Sequence, residues 1–134
     1  MTSGQLEIHS LANAPWYVFA HLLFALVAVL LGTTVLLRRK GDSTHKALGW
    51  SWVCLMLTAA ISSFFIQARG RFSLIHILSV VILVIVPLGV VHIRNRRVLR
   101  HRNTMSSAFA GLVIAGVFTL LPYRMLGQLV FGAR

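Results

Sequence analysis

The sequence predicts an all-α integral membrane protein, an up-down-up-down four-helix transmembrane bundle with both termini outside. Three observations carry this reading. Of the 134 residues, 57% are hydrophobic and only 11% charged, well short of the roughly 25% charged of a soluble domain. The apolar residues gather into four runs, each near the ~20 residues that cross a ~30 Å hydrocarbon core. The 13 Lys and Arg lie mostly between those runs, against only two acids, Glu7 and Asp42.

The boundaries follow the chain. Residues 1–14 form an N-terminal arm, 15–124 the transmembrane domain and 125–134 an interfacial C-terminal tail. The arm has no basic residue before the first apolar run, so that run reads as a retained span rather than a cleaved signal peptide. The first span, 16–37, opens on Pro15 with the interfacial aromatics Trp16 and Tyr17, and closes on Arg38, Arg39 and Lys40. Gly41 and Asp42 supply turn chemistry, with Ser43 or Thr44 available as a helix cap.

The second span is expected at about 47–66, followed by a tight turn through Arg69 and Arg71. The third, at 72–93, contains Pro87, where a kink is expected because proline removes a backbone donor. The fourth, at 105–121, ends at Pro122, ahead of Tyr123 and Arg124 at headgroup level.

Charge then orients the bundle. Residues 38–46 and 94–102 together hold nine Lys and Arg, whereas Arg69, Arg71, Arg124 and Arg134 make four on the other side. The positive-inside rule puts the nine in the cytoplasm. A net charge of +11 would suggest a nucleic-acid partner in a soluble protein. In this apolar chain the basic loops face anionic lipid headgroups instead, and no nucleic acid is implied.

Small residues at helical spacing mark expected packing seams. They are Ala25, Ala28 and Gly32 on the first span, Cys54, Thr58 and Ser62 on the second, and Ser107, Gly111, Ala115 and Thr119 on the fourth. Cys54, the one cysteine, reads as a small packing residue.

The histidines carry the functional signal, because an ionisable group in or beside a span is costly. His21 and His76 lie at similar depth from the outer side, while His45 and His101 enter the second and fourth spans from the inner side, with His92 near them. In a four-helix ring these pairs sit on diagonal helices that face across the core. Paired neutral imidazoles are the ligand set of b-type haem, and no Cys-x-x-Cys-His element for covalent attachment is present. For the outer pair, Arg69, Arg71 and Arg124 are candidate partners of the haem propionates. Each histidine also has a plainer role open to it, as a solvated interfacial residue or a cap for backbone groups.

"THKALGW", "FSLIH", "LRHRNTM" and "AGVFTLLPYR" resemble a family of small predicted bacterial membrane proteins classed as a domain of unknown function, over about Pro15 to Gly132. The family's His-Arg-x-x-Gly helix entry is matched by His45 and Gly49, with Lys46 in place of arginine. Its His-Arg-x-x-Met entry is matched by His101, Arg102 and Met105. Its Pro-Gly-Arg ending is Pro122-Tyr123-Arg124 here, so Tyr123 departs from the pattern. The resemblance implies a bacterial inner-membrane protein of about four helices and no particular activity.

Two functions of different class follow as expectations. One is a small redox protein that binds one or two b-type haems through His21 with His76 and His45 with His101, and passes electrons to or from a quinone or a partner. The other is a non-catalytic accessory or assembly subunit of a larger membrane complex, without a cofactor. Glu7 and Asp42 both lie outside the spans, so no carboxylate pair exists for acid–base catalysis, and transport or lipid handling has less to recommend it.

Overall fold

The computed structural model describes residues 15–66 and 74–119. Among them every regular element is an α-helix: α1 (Trp16–Leu37), α2 (Ser43–Ser63), α3 (Leu74–Arg94) and α4 (Val98–Thr119). Each has 21 or 22 residues, about 32 Å at 1.5 Å per residue. Packing runs α1–α2, α2–α3, α3–α4 and back from α4 to α1, and the backbones of the diagonal pairs α1/α3 and α2/α4 do not approach closely. This is the ring the short connections imply, with α2 and α4 meeting through side chains such as Trp52 and Phe109 at Gly32. The N-terminal arm, the 67–73 connection with Arg69 and Arg71, and the tail with Pro122, Tyr123 and Arg124 lie outside the described residues.

Two stretches, α1 and His76–Arg94 of α3, are long and apolar enough to cross a membrane. Their outward faces agree with that. Leu23, Leu26 and Leu30 on α1, and Val80, Val84 and Leu88 on α3, are all exposed, where a water-soluble protein seldom shows so continuous an apolar face. The helices and the expected spans coincide for α1 but not elsewhere. α2 begins four residues before 47, and α4 begins at Val98, seven before 105. Hydropathy reports what lipid would bury, and it does not register a basic segment that is helical in the interface.

Local chemistry sets these starts. Asp42, not Ser43 or Thr44, caps α2: its Oδ1 accepts from the His45 backbone N–H at 2.6 Å. Gly41 at φ 94° turns the chain into that cap. At the other basic loop Arg96 has φ 57°, while Arg96 N–H donates to the Ile93 carbonyl and Arg97 N–H to the His92 carbonyl. This is a Schellman closure with arginine where glycine is usual. α3 continues through Pro87, which is exposed.

The core comprises Ala28, Trp52, Val53, Met56, Ala60, Ile82, Val86 and Ala108. The expected Ala28–Gly32 seam is observed, with both residues buried. The Cys54–Thr58 seam is not, since both side chains are exposed. At 100° per residue, Cys54 and Thr58 fall opposite Trp52 and Met56, and the large residues took the inner face. Ser107 is likewise exposed beside buried Ala108.

Gly32 is the tightest junction. The Trp52 indole N–H donates to the Ala28 carbonyl at 2.9 Å, and a Cβ on Gly32 would stand 2.5 Å from that indole nitrogen and 2.7 Å from the Phe109 ring. Gly32→Ala should therefore destabilise the bundle by about 1–3 kcal/mol, read as a lower thermal midpoint in detergent. Gly49→Ala, whose Cβ would meet nothing within 4 Å, should be neutral or stabilising by up to about 1 kcal/mol. Equal midpoints for Gly32→Ala and the parent would contradict the junction.

Candidate functional site

Next to the Gly32 junction the ends of the helices that adjoin the two basic loops form a partly open cavity of about 610 Å³, within the 300–1,000 Å³ usual for cofactor sites. All four helices line it. Gly32, Trp52 and Phe109 make its floor, Val53, Val90 and Met105 its apolar wall, and Gly49 leaves space on α2. The exposed side chains of Lys40, Lys46, Arg94 and Arg102 surround the opening.

His45 and His101 both line this cavity. The Asp42 cap places His45 in the first turn of α2, and the Schellman closure starts α4 so that His101 lies one turn in. His101 Nδ1 is 2.8 Å from the Gly89 carbonyl oxygen. A carbonyl can only accept, so Nδ1 carries a proton, and Nε2 is the nitrogen that holds the lone pair whenever the ring is neutral. Gly89 permits this approach, for a Cβ there would meet the Met105 methyl at 2.6 Å. The His45 Nδ1 is buried with no hydrogen-bond partner.

Burial lowers the His45 pKa from its ordinary value. The charge of His101 lowers it further, and Lys40 and Arg38 add to this against the opposing pull of Asp42. The ring is therefore neutral at pH 7, the form in which imidazole binds a metal.

The outer histidines have different surroundings. Ser62 Oγ donates to the Ala59 carbonyl and so accepts from His21 Nδ1, at 2.8 Å. His76 is buried against the Phe64 ring, with centroids 5.8 Å apart. Next to it, Ser63 and Ser79 share a 2.6 Å hydrogen bond between α2 and α3. His21 thus contacts α2 and His76 contacts Phe64 just past the end of α2, and neither lines the cavity beside the basic loops. His92 lies 3.3 Å from Thr104 Oγ1 and also stands outside the cavity. Arg124 lies outside the described residues.

A family model described as "Predicted membrane protein (DUF2306)" matches residues 18–132. The chain belongs to that family. No curated protein and no solved structure matches the chain significantly. Membership in DUF2306 assigns a predicted membrane protein and no activity. Both helix-entry elements, His45 to Gly49 and His101 to Met105, fall within the matched region. In this DUF2306 protein, His45, Lys46 and Gly49 meet His101, Arg102 and Met105 around one cavity.

Several cavity residues escaped the sequence reading. Trp52, Phe109 and Gly89 looked like generic span residues, and the available signal was the near-equal spacing from Gly32 to His45 and from Gly89 to His101. In the ligand-free protein His45 should titrate below the ordinary histidine value of about 6.5, and Arg38→Gln with Lys40→Gln should raise it, as read from imidazole NMR shifts. The folded state disfavours the charged ring. The stability this gives is thus present above pH about 6.5 and lost as pH falls through the folded-state value.

Proposed function

We propose that this protein is a small transmembrane electron-transfer protein that holds one b-type haem between His45 and His101. The observation that carries the reading is the convergence of two imidazoles, from diagonal helices, on one apolar-floored cavity. The donor set fits the group. His101 is held by Gly89 with its Nε2 available, as metal-binding histidines usually are, and His45 is kept neutral. The 610 Å³ volume and the floor of Trp52, Phe109 and Val53 suit a flat apolar macrocycle. Haem, when bound, supplies a one-electron redox change at its iron. The residues of the chain orient the ligand nitrogens and keep water from the floor. Gly89 fixes the His101 tautomer.

The reading extends to the surroundings. The chain spans a bacterial inner membrane four times with both termini outside, supported by nine cations in the two loops at the cavity end. Electrons exchange with a quinone or with a larger membrane complex. A second haem between His21 and His76 has less behind it, because their described contacts run to α2 and to Phe64 just past its end rather than to a common cavity.

One observation favours the alternative, an accessory or assembly subunit without cofactor. Ser51, Cys54 and Thr58 on α2, and Asn103 and Ser107 on α4, face outward, where small and polar side chains suit another helix better than lipid.

Absorption spectra of detergent-purified protein, expressed with ample haem and recorded oxidised and dithionite-reduced, separate these readings. The expected result is reduced α and Soret bands that vanish in His45→Ala/His101→Ala and persist in His21→Ala/His76→Ala. A colourless parent protein overturns the haem reading, and bands lost only in the outer variant would move the ligands to His21 and His76.

A further inference from the structure

The cavity is edged by charge that no carboxylate among the described residues neutralises. The sequence holds two acids, Glu7 and Asp42. Asp42 is already committed: Oδ1 accepts from the His45 N–H, and Oδ2 lies 3.7 Å from Arg38. Among the described residues, therefore, no carboxylate pairs with Lys40, Lys46, Arg94 or Arg102. Lys40 Nζ gives one hydrogen to the Leu36 carbonyl at 3.2 Å, leaving two.

These four cations differ from the other loop cations in placement. They come from four elements, the α1–α2 loop, α2, α3 and α4, and converge on one opening. Arg39, Arg96, Arg97 and Arg100 do not line it. An anion held in the cavity would share that space with all four. Directly beneath lies the apolar floor of Trp52 and Phe109. His45, whose Nδ1 is buried without a hydrogen-bond partner, is one of the residues that line the same space.

We infer that Lys40, Lys46, Arg94 and Arg102 form a site for the acidic head, carboxylate or phosphate, of an amphiphile whose apolar body lies in the cavity. Two sources share this chemistry: the propionates of a haem and the phosphate of an anionic inner-leaflet lipid. The haem case rests on the reading proposed above, and the lipid case stands without it. The ligand lies with its acidic groups toward the cytoplasm and its apolar part toward the Gly32 junction.

The test compares the parent protein with Lys46→Gln/Arg102→Gln and with Arg39→Gln/Arg97→Gln, which removes equal charge away from the cavity. Lys40→Gln/Arg94→Gln serves as a second rim variant should the first fail to fold by circular dichroism. Each is titrated by absorbance with haem and with haem dimethyl ester, which lacks the free carboxylates. A rim variant should bind haem about tenfold more weakly, the size expected for two partly exposed ion pairs. The ester should bind all proteins alike, and the Arg39/Arg97 variant should match the parent. Equal weakening of haem and ester, or equal weakening in the Arg39/Arg97 variant, overturns the inference.

If the parent takes up neither haem nor ester, the haem reading fails and lipid decides. Native mass spectrometry with added phosphatidylglycerol or phosphatidylcholine should then show one phosphatidylglycerol retained by the parent and the Arg39/Arg97 variant, and lost from the rim variants. Indifference to lipid charge, or to the rim substitutions, overturns the site.

Discussion

The contact between the Trp52 indole and the backbone of α1 is what the inner half of the bundle depends on. In hydrocarbon, helices gain little from burying apolar surface against one another, because lipid is as apolar as leucine. Association has to come from close fit and from polar groups that lipid cannot satisfy. The Trp52 N–H finds the Ala28 carbonyl, and the missing side chain at Gly32 lets Trp52 and Phe109 approach α1 together. One glycine thus joins α1 to both α2 and α4. The α1–α4 edge is the most sparsely packed of the ring, so the junction matters most there. It is also the floor of the cavity, which makes the packing of the bundle and the shape of its site one feature.

The second requirement is that each helix face match its surroundings. α1 satisfies it with leucine and valine outside and Ala28 and Gly32 inside, and α3 with valine and leucine outside and Ser79, Ile82 and Val86 inside. α2 and α4 are more mixed: their basic starts suit the interface, and their outward serines and threonine bond their own backbone. Ser51, Thr58 and Ser107 each donate to the carbonyl four residues back, which satisfies their hydroxyls without a partner. Thr33 and Thr34 on α1 do the same. These outward hydroxyls are thereby satisfied within their own helices and remain compatible with another helix.

Much of this could be read from residues alone, and the failures have physical causes. The extent of α1 was legible because apolar length, the flanking Trp16 and the Arg38–Lys40 cluster all agree. The diagonal relation of α2 and α4 followed from short connections. Small-residue stripes misled on α2, because Cys54 and Thr58 repeat at helical spacing as regularly as Trp52, Met56 and Ala59 do. Spacing alone does not say which face wins; the volume of Trp52 and its need for an acceptor decided it. Asp42 displaced Ser43 and Thr44 as cap because Gly41 brings its carboxylate over the His45 N–H. Gly89 was illegible as a partner of His101, since its role depends on tertiary approach rather than on local pattern.

The basic loops then acquire two kinds of residue within one run of charge. Arg38 is spent on Asp42, and Arg96 and Arg97 shape the Schellman turn through their backbone. Lys46 and Arg102 immediately follow the two cavity histidines, so helix geometry carries their charge to the opening with the imidazoles. That adjacency has an electrostatic consequence. Positive neighbours and partial burial disfavour a charged His45, so the ring stays neutral beside a strongly basic surface. The acidic head proposed above would meet this basic rim beside His45 and His101. Charge that composition alone would assign to lipid headgroups is, at these positions, also placed beside a cavity.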